Sequence, residues 1–458
     1  MTQFRTGTGI VRTSTSRPGR WHCSRHRSGR RGHLSSISDT DIAAPSVSAR
    51  SRYLQLALIV IAAGAIYPIL YLRQSYQTTM LEVLKLTNTE LGVLYSILGT
   101  SFLVGYLPSG WLADRVQPRI LILVSMVGTG LLGLWYATLP GYSSLLVIYC
   151  GFGVTTGLTF WAATLKQVNL IAGANEQGRF FGILDGGRGL VEALLASVAI
   201  ALFVFTTETR GAGLAMGFRD VVLLYAVFCI VVGIAYFAVS QPVAVEKGAR
   251  KREGNLLADI KTLLLIPEVW LVAAIIFCGY HVFLATYSFS AYLQEGGFGI
   301  SAAMAGLIVT IKLWLRPVGG IGGGLLGDRF GKTGILLLSF LVAAASLVAM
   351  ITLPGVGSTV LFVGLVLLVG LITYTIRGLY WAILDDCHVP ANITGLAIGI
   401  ISLVGYAPDT YLPLVNGYLS DRYPGIAGYQ FYFGYIAAIC VLGAIATLAL
   451  MARLKKKG

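Results

Sequence analysis

Apolar runs of spanning length recur along nearly the whole chain, separated by short polar breaks. A helix needs about 20 mainly apolar residues to cross a bilayer core. The pattern predicts twelve such segments, near residues 53–73, 90–113, 119–139, 143–166, 180–205, 219–240, 269–293, 302–327, 334–353, 358–384, 394–415 and 429–452. One polar break is much longer than the others. Residues 241–268 carry Lys247, Arg250, Lys251, Arg252 and Lys261 and divide the segments into two sets of six. The expected organisation is therefore a basic tail over 1–50, a six-helix bundle over 51–240, a linker over 241–268, a second bundle over 269–452 and a short basic tail over 453–458.

The two sets share internal echoes. Gly110-Trp111-Leu112-Ala113-Asp114-Arg115 follows the second segment, and Gly324-Leu325-Leu326-Gly327-Asp328-Arg329-Phe330-Gly331-Lys332 follows the eighth. The aspartates stand at 114 and 328, an offset of 214. Phe160-Trp161-Ala162 in the fourth segment is echoed by Tyr380-Trp381-Ala382 in the tenth, an offset of 220. Two unrelated anchors at nearly one offset imply a duplication, with parallel repeats related by an axis along the membrane normal. A tight turn between membrane helices needs glycine for close backbone approach, and charge to hold it in water on one side.

These turns resemble the loop signature of the major facilitator superfamily, G-x-L-x-D-R-x-G-R/K. The second copy matches it, while the first has Gln117 and Pro118 where the signature has glycine and a basic residue. A more specific run is Thr159-Phe160-Trp161-Ala162-Ala163-Thr164-Leu165-Lys166, then Glu176-Gln177-Gly178-Arg179, then Gly186-Gly187-Arg188-Gly189-Leu190-Val191-Glu192-Ala193. It is similar to the YihN-like branch of bacterial facilitator transporters, and the resemblance spans about residues 51–452. It implies an all-α polytopic fold of twelve helices in two pseudo-symmetric bundles. It also implies transport by rocking of the halves around a central site. The same resemblance puts Gly110, Asp114, Arg115, Gly324, Asp328, Arg329, Gly331 and Lys332 at a conformational gate.

Composition narrows the class further. The chain is 56% hydrophobic and only 12% charged, against about 25% charged in soluble domains. Six cysteines are scattered with no C-x-x-C, so they read as small packing residues, neither a disulfide set nor a metal site. Gly322-Gly323-Gly324-Leu325-Leu326-Gly327 spells G-x-G-x-x-G but ends an apolar helix with no preceding strand, which excludes a dinucleotide fold. Gly331-Lys332-Thr333 lacks the glycine a phosphate-binding loop requires five residues earlier, where Leu326 stands. No H-E-x-x-H or G-x-S-x-G is present. An enzyme is not expected, and neither is a cofactor or a metal.

The formal charge is +14, and residues 1–52 hold ten Lys/Arg and two Asp. That arginine- and serine-rich tail reads as disordered and has no apolar core of a secretory signal. It suits a cytoplasmic segment against anionic lipid, a transit peptide, or an upstream start; nucleic-acid binding is not expected. With the N-terminus inside, inside loops and C-tail carry 14 Lys/Arg beyond that tail, and outside loops carry five: Arg73, Lys85, Arg210, Arg219 and Arg422. The positive-inside rule then places both termini in the cytoplasm, and the resemblance to bacterial facilitator transporters implies the inner membrane.

Ionisable residues inside spanning helices are expensive and point to function. On the helices that the resemblance places around a cavity, these are Lys166, Arg188, Lys312, Arg316 and Arg377 against Asp185, Glu192 and Asp409. Rise per residue puts Glu192 and Lys312 roughly 15–18 Å from their helix starts, near the midplane, with His281 about as deep. Asp185, Arg188 and Glu192 share one helix face. They form either a self-neutralising ladder or an anion-binding Arg188 beside a proton-sensitive Glu192. Lys312 and Arg316, one turn apart, repel each other unless an acid or an anionic ligand lies between them. Arg377 beside Tyr380 and Trp381 suits a carboxylate or a sugar-like solute, with Trp161 as the counterpart in the first set. Asp409 after Pro408 and His281 join Glu192 as candidate proton-coupling groups; Lys166 sits at a helix end and can snorkel. Small residues recur at helical spacing at Ser101, Gly105, Ser109 and Ala113, at Gly319, Gly323 and Gly327, and at Gly182/Gly186 and Gly395/Gly399. The resemblance places them on helix pairs that meet between the halves.

The expected function is a monomeric secondary transporter of a small anionic or zwitterionic organic solute, coupled to protons. An uncoupled facilitator and a transporter-like membrane receptor are the alternatives.

Overall fold

Breaks in the spanning helices, more than the helices themselves, shape this molecule. The computed structural model describes residues 49–172, 176–240, 256–354, 358–387 and 393–457. The expectations for residues 1–48, and for Lys247, Arg250, Lys251 and Arg252, lie outside the described residues. The first crossing is α1 (Ala49–Ala65) and α2 (Arg73–Leu84), joined by a turn over 66–72. Pro68 sits in that turn and has no N–H to give the helical ladder. Next come α3 (Asn88–Arg115) and α4 (Pro118–Tyr136). α3 starts at a capping box in which the Thr87 side chain accepts from Glu90 and Glu90 reciprocates. Its internal Pro108 accompanies a 55° bend.

α5 (Tyr142–Gly153) runs through a π-helical turn into α6 (Trp161–Ile171); α7 (Gln177–Val204) and α8 (Leu214–Val239) complete the first set. The short α9 (Leu256–Leu264) precedes the second set. That set comprises α10 (Pro267–Ala285) with α11 (Phe289–Glu295), α12 (Ala302–Phe330), α13 (Lys332–Thr352) and α14 (Thr359–Leu379). It ends with α15 (Thr394–Gly405), α16 (Pro408–Arg422) and α17 (Ile426–Lys457). Among the described residues, ten helical stretches are long and apolar enough to cross a membrane, and the bent α3 makes eleven. The remaining expected span is α1–α2, where the apolar helix Ser51–Ala65 is itself too short. Among the described residues there is no strand.

One expectation changes here. Hydropathy puts Arg73 in an outside loop, but the first crossing continues to Leu84 and Arg73 is 4% exposed. Hydropathy ends the segment at the first polar residues, whereas the chain carries Arg73, Gln74 and Gln77 inward against protein.

Buried apolar residues form two large clusters, one from Leu56 to Tyr236 and one from Leu263 to Leu450. The sets meet where α3 packs on α16 and α7 on α12. The small-residue ridges serve a different surface from the one expected. Gly319 and Gly323 face α14, where added Cβ atoms would lie 2.7 Å from the Leu371 carbonyl and 2.8 Å from Thr375 Cγ2. Gly105 faces Leu158 in its own set, and Gly182, Gly186 and Gly399 face open space. Close approach between the sets instead rests on Gly92 and Gly99 of α3 and Gly417 of α16. A Cβ on Gly92 would lie 2.6 Å from the Pro413 carbonyl oxygen, and one on Gly99 would strike the Asp409 carbonyl. Such backbone contact is how membrane helices gain packing without a hydrophobic drive.

α3 and α12 both finish at the charged turns. We call that side the charged-turn end, and the side where they begin the far end.

Candidate functional site

A cavity of about 180 Å³ lies between the two sets. The charged side chains on its wall come from four helices. α7 supplies Arg188 and Glu192, α12 supplies Arg316, α14 supplies Arg377 and α16 supplies Asp409. Tyr67, Tyr71, Tyr106, Tyr280, Tyr287 and Tyr406 bring phenols to the same space, with Trp161 and Phe283.

The charges are paired unequally. Arg316 Nη1 donates to Glu192 Oε2, an ion pair that joins the two sets. Gly189 makes this possible, since a Cβ there would lie 3.1 Å from Arg316 Cδ. Arg188 Nε stands 3.2 Å from Asp185 Oδ1 without the alignment of a hydrogen bond, and its guanidinium lies over Trp161, 5.1 Å from the ring centroid. Arg377 lies 3.9 Å over Phe283, and its buried Nη1 has no hydrogen-bond partner among the described residues. Asp409 Oδ2 accepts from the Tyr280 hydroxyl at 2.7 Å.

Three expected site residues stand behind the wall. Lys312 is fully buried and donates to Thr286 Oγ1 at 3.1 Å, and Gly370 leaves the space its side chain fills. The acid expected between Lys312 and Arg316 is Glu192, and it pairs with Arg316. Tyr380 is buried, and Trp381 Nε1 donates to the Tyr406 hydroxyl at 3.0 Å, holding that cavity phenol in place. His281 is fully buried away from the cavity. Its Nδ1 lies 2.8 Å from the Phe277 carbonyl, and Nε2 lies 3.0 Å from Tyr435 and 2.9 Å from Tyr411 hydroxyls. A carbonyl only accepts, so a proton on Nδ1 leaves the single Nε2 lone pair to accept from one of the two phenols, and the neutral ring is satisfied.

The charged turns make their contacts inside their own sets. Lys166 Nζ donates to Asp114 at 2.8 Å and to the Ala113 carbonyl at 2.8 Å, so Lys166 caps the first turn. Arg115 stacks on Trp111 at 4.0 Å. Lys332 Nζ reaches the Ala382 carbonyl at 3.0 Å and Asp386 at 3.4 Å; Arg329 lies over Phe330, and Asp328 is exposed. Gly331 has φ +89°, which favours glycine at that turn. Gly110 and Gly324 face open space. At the far end, in contrast, hydrogen bonds cross between the sets, as from Thr78 Oγ1 to Gln294 at 2.6 Å and from Ser290 Oγ to the Ser75 carbonyl at 3.0 Å.

Hydropathy and motif spacing do not single out the cavity tyrosines or Arg73. Tyr67 and Tyr71, one helical turn apart in the first apolar run, were the available signal. Arg73 lines a small space of about 20 Å³ on the far side of Asp409, with Tyr95 and Tyr432. Its Nε donates to Gln77 at 3.1 Å.

A polytopic helical protein with a charged cavity between two packed sets of helices, joined at the far end and, among the described residues, unlatched at the charged turns, is built as a membrane transporter. The Major Facilitator Superfamily model matches residues 53–413, and the chain belongs to that family. It is 30% identical over 421 residues to the inner membrane protein YihN of Escherichia coli (strain K12), covering 89% of this chain and 97% of that protein. It is 26% identical over 382 residues to the probable sulfoacetate transporter SauU of Cupriavidus necator, covering 80% of this chain and 86% of that protein. A crystal structure of a bacterial homolog to the human lysosomal transporter Spinster, inward-facing and unoccupied, has the same fold. The TM-score is 0.72 at 14% identity, covering 89% of this chain and 98% of that one. Members of the family are transporters, so the chain is a multi-pass transporter and not an enzyme.

Proposed function

We propose that this chain is a proton-coupled secondary transporter of a small organic anion in the inner membrane. Its two six-helix halves, 51–240 and 269–452, rock around the central cavity. Both termini and the charged-turn end face the cytoplasm, as the loop charges favour.

The observation that carries the reading is Arg377. A buried guanidinium donor with no protein partner is costly to leave unmet. It becomes favourable when a carboxylate, sulfonate or phosphate arrives to take a forked pair of hydrogen bonds. On the cavity wall Arg316 pairs with Glu192 and Arg188 stands beside Asp185, so among the described residues Arg377 is the wall guanidinium with no carboxylate at salt-bridge distance, left for the solute to neutralise. Arg188, stacked on Trp161, offers a second donor from the opposite half. Glu192 holds Arg316 between the halves, and its protonation would release Arg316 to the solute, tying proton to anion. Asp409, held by one phenol, is the second carboxylate able to carry a proton. Lys312, Tyr380 and Trp381 support this wall from behind. The sulfoacetate named for one relative is a small strong anion of this kind.

A thermal-shift screen of purified protein tests the reading. Sulfoacetate, gluconate, glucuronate and glycerol 3-phosphate are compared with neutral glucose, in the native chain and in Arg377→Ala. Stabilisation by an anion that disappears in Arg377→Ala is the expected result. Stabilisation by glucose alone, indifferent to Arg377, would overturn the anion assignment. Uptake into proteoliposomes with and without a protonophore then tests the coupling.

A further inference from the structure

The capping box at the start of α3 uses the N–H groups of Thr87 and Glu90, at 2.9 and 3.1 Å. It leaves the N–H groups of Asn88 and Thr89 without intrahelical partners, as at any helix start. Both are taken by one carboxylate from the other set. Asp421 Oδ1 accepts from Asn88 N at 3.0 Å and from Asn88 Nδ2 at 3.1 Å, and Oδ2 accepts from Thr89 N at 2.7 Å. A carboxylate at a helix N-terminus also meets the positive end of the helix dipole. One turn earlier, Gly417 lies so close to α3 that a Cβ would strike the Asn88 carbonyl. The close approach at Gly417 and the charge at Asp421 thus act at one point.

The sequence around that point is Gly417-Tyr418-Leu419-Ser420-Asp421-Arg422. It repeats the G-x-L-x-D-R pattern of Gly110–Arg115 and Gly324–Arg329, but at the far end of the molecule. The two charged-turn copies are unlatched from each other among the described residues, while this third copy is engaged across the sets.

We infer that Asp421 is the latch of the far end. It holds α16 on the start of α3 while the cavity serves the charged-turn end, and it releases once in every transport cycle. Thr78–Gln294 and Ser290–Ser75 are neutral contacts alongside it, so the charged cap dominates how firmly this end stays shut. The inference rests on the rocking of the two halves proposed above, and not on which solute is carried.

The test uses the full chain in membrane vesicles with its six native cysteines replaced. Ser290→Cys reports opening of the far end. Ala63→Cys, on the cavity wall, reports access from the charged-turn end. A membrane-impermeant maleimide is added to one face at a time, without solute. Asp421→Asn is expected to raise labelling at 290 from the far face by about tenfold, the scale of losing a charged helix cap. Labelling at 63 from the charged-turn face stays level or falls slightly, because the far-open state starts as the minor one, and Asp421→Glu restores much of the native ratio. Unchanged labelling at both reporters overturns the latch. So does a rise at both together, which would mean that the cap only stabilises the fold. Because no solute is present, an incorrect solute assignment leaves these outcomes untouched.

Discussion

Replacing Arg377 with methionine separates binding from stability in a way few other substitutions here can. The guanidinium stacks 3.9 Å over Phe283, and its buried Nη1 has no hydrogen-bond partner among the described residues. The orphan donor costs about 1–3 kcal/mol. The stack returns about 0.5–2 kcal/mol. Methionine keeps the apolar stem against the ring, worth about 0.3–1.5 kcal/mol. Taken at mid-range these terms give the variant without solute a gain of about 1.5 kcal/mol, so it should unfold less easily than the native chain. Binding should move the other way. Losing charge-assisted hydrogen bonds to an anion costs about 3 kcal/mol, or roughly 150-fold in Kd. Arg377→Lys keeps the charge but loses the fork, so about a tenfold loss is expected. The assay is thermal unfolding of the detergent-purified chain with and without the stabilising anion from the screen, together with its titration. A variant that is less stable when empty yet binds the anion normally would refute the reasoning, because Arg377 would then be a structural residue.

Glu192→Gln keeps a hydrogen bond to Arg316 but cannot ionise. Proton-driven accumulation should fall at least about tenfold while solute exchange at equal pH persists; loss of both together would argue against a coupling role. His281→Phe removes the acceptor of one of the two tyrosine hydroxyls and should destabilise by about 2 kcal/mol. The pH profile of transport should stay in place, and a displaced profile would show that His281 titrates in the cycle. Asp114→Asn weakens the contact with Lys166 and should reduce transport several-fold with normal membrane insertion, so full activity would remove the gate role from this turn.

The legible part of the architecture was the part written in local pattern. Length and apolarity of each run set the spans, because an unpaired backbone group in lipid forces a helix. The duplicated turns exposed the two sets, and ionisable residues in apolar runs named Arg188, Glu192, Arg316, Arg377 and Asp409, all of which line the cavity. What the pattern could not decide was which neighbour each residue meets. Arg188 and Glu192 share a helix, yet Glu192 pairs with Arg316, 124 positions away. Lys312 and His281 have the same intramembrane signature as the cavity arginines but are satisfied by Thr286 and by a tyrosine hydroxyl. Arg73 looks like the end of a span until α2 carries it back into protein. Gly99 and Gly417, outside the regular small-residue ridges, carry the contact between the sets. Period and hydropathy depend on a residue and its near neighbours, so one chain suffices to read them. Ion pairing, burial and backbone contact depend on where a second helix lies, and only the folded packing of the two sets supplies that.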